Sequence, residues 1–362
     1  MYPLVPFALS FGLFYFAIQE PKGHRRHFLG ILHTLSAVCC LRAQGIHFLP
    51  ISEVVWVQFI IWATLHTSTS FLLEEDVLNL GPLQYTHRLR AVVRTWTNIR
   101  RVPLTRWEDG RAVTCRTRYR FALTKAVQAC GLLGVHRVTR SLALYSLVKL
   151  GTHLADFEPS KQAILPPINQ KDLCLRAIFS LQWIWDSYVI LTASHCLFAA
   201  VSVTLLCWDS PEDWPPLFGS VAEAYSLTRF WGTFWHRLHA VPFRLLQSRA
   251  LAHMSGAGEE HKKRLKSLWQ KFFRALLMFT FSALGHVAVN WITLGRAFVI
   301  PELRFFLSNF FICFGEKLAR PWVSKVPYAK TLKSLGYLWV FAVFFCLVPS
   351  WIFPSVLFAL SQ

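Results

Sequence analysis

Long apolar runs alternate with shorter polar ones along the whole chain. Residues 3–19, 28–49 and 53–73 are each long enough to cross a roughly 30 Å hydrocarbon core as one helix. A polar segment, residues 74–120, follows. The next apolar run, 121–154, is interrupted by Lys125, Arg137 and Arg140, so a span occupies only part of it. Residues 151–172, with Pro159, Pro166 and Pro167, read as a loop. Residues 173–207 are too long for one straight span and short for two with a turn, which predicts one tilted or broken helix. Runs at 272–300, 303–314 and 335–360 predict three more helices. The pattern predicts an all-α, polytopic transmembrane helical bundle of about eight spans, forming a single domain over residues 1–362. No internal repeat interrupts it.

Composition agrees with this class. The 362 residues are 54% hydrophobic and 15% aromatic but only 16% charged, too few charges for the surface of a soluble domain of this size. A net charge of +19 suggests nucleic acid as a partner, but the cations cluster beside apolar runs, where membrane topology accounts for them. With eight spans, the basic loops after the first, third, fifth and seventh all fall on one face. That face is then cytosolic, and both termini lie on the other. Residues 1–18 carry no basic residue ahead of their apolar part, so they read as the first span and not as a cleaved signal. The nine cysteines form no CxxC pair and no metal spacing, and most lie inside apolar runs as small buried hydrophobes.

Candidate chemistry concentrates in two places. Residues 208–237, WDSPEDWPPLFGSVAEAYSLTRFWGTFWHR, lie between long apolar runs and alternate bulky rings with cations. In a helix, Phe230, Trp231, Phe234 and Trp235 would cover one side, with Arg229, His236 and Arg237 at its ends. Pro211, Pro215 and Pro216 break the chain ahead of it, as an interfacial or re-entrant helix before the next span requires. The second place is His286, in the middle of an apolar run, preceded by Ser282, Ala283 and Gly285 and followed one turn on by Asn290. An ionisable group at mid-membrane costs several kcal/mol unless protein or a wetted cavity surrounds it (roughly 2.5–3.5 kcal/mol on insertion scales). Apolar surroundings favour the uncharged imidazole, which is the form able to act as a base. The alternative is a packing histidine bonded to a neighbouring helix, which is also the reading for His66. Asp186, inside the 173–207 run, either pairs with a cation or lines a substrate chamber together with Ser282 and Asn290. Ten arginines between Arg88 and Arg120, against two acids, either set topology or grip phosphates.

The segment Trp214-Pro215-Pro216-Leu217-Phe218-Gly219, followed by Ser226-Leu227-Thr228-Arg229-Phe230-Trp231-Gly232 and Trp235-His236, resembles the wax-synthase domain of the membrane-bound O-acyltransferase superfamily. The closest flavour is the fungal branch that acetylates hydroxyls of terpenoid and meroterpenoid metabolites. The resemblance is tight over residues 209–290, the wax-synthase-like catalytic core, and diffuse elsewhere. It implies a membrane enzyme, with the endoplasmic reticulum as its place, that moves an acyl group from acyl-CoA to an alcohol. It implies no bound cofactor, no metal and no nucleic acid: acyl-CoA, acetyl-CoA by analogy with the branch, is a co-substrate, and the bilayer and a hydrophobic alcohol are the other partners. His286 becomes the general base. His236 stands where the superfamily often carries Asn, either as a second catalytic group or as one that orients the thioester or the acceptor. Arg229 and Arg237, with Trp231 and Trp235, become candidates for holding the acyl-CoA.

Three rival readings remain open from the residues. A long-chain wax-ester synthase shares the chemistry. A transporter would use Asp186, His195 and His286 as a polar path, but transporters commonly carry internal repeats. A membrane scaffold leaves the mid-span histidine unexplained.

Overall fold

The computed structural model of the protein describes residues 4–41, 53–73, 85–100, 114–165, 169–236, 238, 240, 242–243, 260–323 and 329–362. All regular structure among these residues is helical. The long helices are α1 (Leu4–Ala17), α2 (His24–Leu41), α3 (Glu53–Leu73), α4 (Tyr85–Thr97), α5 (Cys115–Lys149), α6 (Gln170–Ala200), α7 (Glu260–Leu294), α8 (Val299–Val323) and α9 (Ala329–Leu360). Among the described residues, three stretches are long and apolar enough to cross a membrane: Gln170–Leu205, Trp269–Leu294 and Lys333–Leu360. The shorter α1 is also apolar. Helices of this kind suit a membrane architecture, because they satisfy every backbone polar group internally.

Several elements differ from expectation at their ends. The helix expected at 121 begins at Cys115, where the Thr114 side chain accepts the amide of Thr117 and caps it. The 173–207 run is one helix, α6, continued by a π-helical turn at Val201–Leu205. The helix expected to run from 272 to 300 ends at Leu294, because Gly295 follows at φ 69°, a left-handed conformation that glycine adopts without a Cβ penalty. That helix also begins twelve residues early, at Glu260, within a cationic stretch whose charge hides its helical character. The short helix expected at 303–314 extends over Val299–Val323.

The chain divides into two compact units. The first comprises Met1–Arg101 and Arg237–Leu303. Its α1–α2–α3 core is polar at the centre and apolar around it. His33 is buried with one ring nitrogen 2.7 Å from Thr67 Oγ1 and the other 2.9 Å from Ser10 Oγ. Phe14, Ala17, Ile18, Phe71 and Val92 pack into one cluster nearby. Buried His66 reaches the Thr95 carbonyl at 2.9 Å, which is the packing role expected of it.

The second unit comprises Val102–His236 and Arg304–Gln362. Here α6 packs between α5 and α9, with Phe157, Leu175 and Phe353 in one cluster and the Ser180 hydroxyl donating to the Phe344 carbonyl at 3.1 Å. The α5–α6 connection is strapped down by charge. Lys171 Nζ lies 2.7 Å from Asp156, Lys161 Nζ 2.6 Å from Asp172, and Arg176 donates to the carbonyls of Lys161 and Ala163. α5 buries none of its side chains and exposes Tyr119, Leu123, Val127, Val138, Leu142 and Val148, a surface suited to lipid.

Candidate active site

The ring-and-cation stretch lies in the second unit and is built from its N-terminal end. The Asp209 carboxylate accepts the Trp214 indole N–H at 3.1 Å and the Ser202 hydroxyl. Arg118 of α5 donates to the Asp209 carbonyl at 3.0 Å. Gly219 then donates its N–H to the Phe234 carbonyl at 2.9 Å. A Cβ at Gly219 would sit 2.3 Å from the Thr233 carbonyl oxygen, so only glycine lets the WPPLFG and FWGTFWH segments touch.

The helical part of the stretch is shorter than expected. It consists of one α turn, Leu227–Arg229, opened by the Ser226 side chain, and a π turn, Phe230–Phe234. Trp235 leaves it in an extended conformation, φ −66° and ψ 147°. The four rings therefore do not line one face of a continuous helix. Two of them, Trp231 and Trp235, meet Trp183 of α6, and Phe230 and Phe234 pack against Trp235. Trp235 lies 5.3 Å and Trp231 6.3 Å from Trp183 between ring centroids, while Phe230 stacks on Trp235 at 5.1 Å. Phe344 and Trp351 of α9 and Phe305 of α8 close around the same indole. A two-turn segment cannot bury so many rings by itself, and three helices supply the remainder.

One face of α8 fixes this segment. Glu316 accepts the backbone N–H groups of Leu227 and Thr228, one on each carboxylate oxygen, both at 2.7 Å. Its Oε1 also accepts the Trp339 indole N–H at 2.9 Å. The Thr228 hydroxyl donates to the Cys313 carbonyl at 3.2 Å. The Trp231 indole donates to Asn309 Oδ1 at 3.0 Å, and Asn309 is oriented by its own bond to the Phe305 carbonyl. Charged hydrogen bonds to the free amides at the start of a helical turn are strong and directional. Sequence reading missed Asn309 and Glu316. Their signal was present as an amide and an acid seven residues apart on one face of an apolar helix.

The other expected residues are distributed as follows. Arg229 forms an ion pair with Glu223 and lies over the Tyr225 ring, 4.9 Å from its centroid. His236 is half-buried beside Trp235 and Phe218, at 5.4 and 5.6 Å between centroids. Arg237 lies outside the described residues. Asp186 lies on α6 against α5.

His286, Ser282 and Asn290 belong to the first unit, on α7. His286 follows Gly285, where a Cβ would come within 2.8 Å of the Trp62 ring; the missing side chain lets α3 approach α7 there. The Ser282 hydroxyl donates to the Met278 carbonyl of its own helix at 2.9 Å. The Asn290 amide donates to Glu302 at 2.7 Å, and Glu302 is 2% exposed. No three His, Cys, Asp or Glu side chains among the described residues converge as a metal site would require.

Residues 214–308 match the model of the membrane bound O-acyl transferase family. This stretch holds Trp231, Trp235, His236, His286 and Asn290, so the resemblance read from the sequence is borne out where those residues lie. The chain is also similar to acetyltransferase ataH of Aspergillus terreus, 28% identical over 52% of this chain and 62% of that protein. It is similar to acetyltransferase nanB of Aspergillus nanangensis, 28% identical over 44% of this chain and 37% of that protein. A third relative, O-mevalon transferase yanI of Aspergillus niger, is 27% identical over 32% of this chain and 29% of that protein. The chain thus spans less than two thirds of the length of these relatives.

Proposed function

We propose that the chain is an integral membrane O-acyltransferase that moves an acyl group, acetyl by preference, from acyl-CoA to a hydroxyl of a terpenoid or meroterpenoid intermediate of secondary metabolism. The observation that carries this reading is the family match over residues 214–308, a stretch of sequence that includes both the α8-anchored aromatic segment and the mid-helix His286. Relatives named as acetyltransferases support acetyl transfer. The relative named O-mevalon transferase argues that the transferred group varies among such relatives.

In this mechanism His286 removes the proton of the acceptor hydroxyl as its oxygen attacks the thioester carbonyl. General base catalysis of this kind contributes about 10²–10⁴-fold. The C–S bond breaks, and the imidazolium returns the proton to the CoA thiolate. Both substrates are bound together and no acyl-enzyme forms. His236 orients the thioester or the acceptor. Arg229 and Arg237 hold CoA phosphates, Trp231 and Trp235 wall off water, and Ser282 and Asn290 belong to the chamber around His286. About eight spans, an interfacial aromatic segment, cytosolic basic loops and lumenal termini in the endoplasmic reticulum complete the reading, supported by the alternation of basic loops along the sequence.

The test is to incubate membranes containing the full chain with labelled acetyl-CoA or palmitoyl-CoA and a panel of terpenoid and fatty alcohols, read by mass spectrometry. Acetyl esters of polycyclic alcohols are expected. Palmitoyl esters of fatty alcohols alone would replace this reading with wax-ester synthesis.

A further inference from the structure

α6 is long and apolar enough to cross a membrane, yet it carries two polar side chains near its middle, Gln182 and Asp186. Four residues apart, they share one helix face. The Gln182 amide donates to Asp186 Oδ1, and His136 Nδ1 of α5 lies 3.4 Å from that same oxygen. Asp186 Oδ2 has no hydrogen-bond partner among the described residues. The carboxyl is 31% exposed, while His136 is 14% exposed. That exposure opens onto a cavity of about 150 Å³ between α5 and α6. Its wall is divided. Arg140, Gln182 and Asp186 form a polar end, and Leu144, Leu147 and Phe179 lead an apolar one.

The two ends specify different things. Arg140 lends its charge to Asp186 from the same polar end without a hydrogen bond to Oδ2, so a donor to that oxygen comes from the cavity. A lipid tail fits the apolar end but offers the polar end nothing. A molecule with a hydroxyl on a mostly apolar, ring-sized body satisfies both.

We propose that this cavity seats the alcohol acceptor, with Asp186 Oδ2 accepting a hydrogen bond from one of its hydroxyls and Phe179, Leu144 and Leu147 covering its hydrocarbon. The proposal rests on the O-acyltransferase reading for the identity of the alcohol. The contact is a hydrogen bond that holds the alcohol; no proton is transferred at Asp186. Gln182 keeps the other carboxylate oxygen occupied, with His136 beside it, so that Oδ2 stays turned to the ligand.

The probe is a diazirine-bearing cyclic terpene alcohol, paired with the same molecule carrying hydrogen in place of the hydroxyl, applied to the full chain in nanodiscs. Cross-links mapped by mass spectrometry are expected in residues 140–147 and 178–186 with the alcohol, several-fold above those with the deoxy probe. Ala143→Phe, which fills the cavity without touching the carboxyl, is expected to abolish them. Asp186→Leu is expected to raise the KM for the alcohol about tenfold, the worth of one hydrogen bond to a charged group, and to leave the KM for acyl-CoA unchanged. Equal labelling by the two probes, or alcohol cross-links that persist in Ala143→Phe, overturns the seat. A chain that cross-links the alcohol here but transfers no acyl group keeps the seat and removes the acyltransfer reading.

Discussion

Three histidines in helices of this protein stand in different settings. His33 has both ring nitrogens occupied by Ser10 and Thr67, and His66 is bonded to the Thr95 carbonyl. Both sit in a polar seam where a histidine is a packing element. His286 sits instead beside a glycine gap that admits the Trp62 ring. His286→Ala is expected to abolish acyl transfer while the protein still inserts and folds, checked by ester formation in membranes alongside detergent gel filtration. Activity within a few-fold of the wild type would remove His286 from the base role. The cations predict a different signature. Arg229 also pairs with Glu223; with both cations on CoA phosphates, replacing Arg229 and Arg237 together with alanine is expected to raise the KM for acyl-CoA more than that for the alcohol. Equal increases in steady-state assays would assign both residues to structure alone.

At the scale of elements, the aromatic segment depends on two close approaches and one carboxylate. Gly219 meets the Thr233 carbonyl, and Gly336 meets the Tyr225 carbonyl, where a Cβ would stand 2.0 Å from the oxygen. Gly219→Ala and Gly336→Ala must therefore push backbone apart, at a cost of about 1–3 kcal/mol each. Gly315→Ala, with nothing within 4 Å of the added carbon, is expected to be neutral or to stabilise α8 by up to about 1 kcal/mol. Thermal unfolding in detergent orders the three. Glu316→Ala removes the acceptor of two backbone amides, and a loss of about 1–3 kcal/mol is expected on the same scale. The α5–α6 strap adds a pH dependence. Burial alone would push the Asp156 carboxyl up. The hydrogen bonds from Lys171 and the His153 N–H, with their charges, outweigh it and hold the group below the ordinary aspartate value. A depressed carboxyl stabilises the fold above its unfolded pKa of about 3.9, and that contribution fades as pH falls through the lower folded value. Melting temperatures between pH 6 and 3 are expected to drop less steeply in Asp156→Asn than in the wild type.

At the scale of the whole molecule, the alternation of basic loops makes a prediction about orientation. Cys115, exposed at the start of α5, follows the arginine-rich segment and lies on the cytosolic side of the proposed topology. In sealed microsomes, a variant keeping Cys115 alone is expected to react with a membrane-impermeant maleimide before permeabilisation. Reaction only after permeabilisation would invert the topology.

The sequence by itself determined the class and the principal long helices. Hydrophobic runs of spanning length are a local property, and a helix in lipid satisfies its backbone without help from the rest of the chain. The WPPLFG and FWGTFWH segments were legible for the same reason, as short strings of contiguous residues. Helix ends were less legible, because charge at 260–271 and the left-handed Gly295 mask or cut the apolar pattern. What only the tertiary structure decided was which distant groups the segments meet. Glu316 and Asn309 hold a turn some eighty residues earlier, Trp183 meets two of its rings, and His136 faces Asp186 from another helix. Such pairings follow from the packing of one helix on another, and no spacing along a single chain encodes the rotation at which two helices meet.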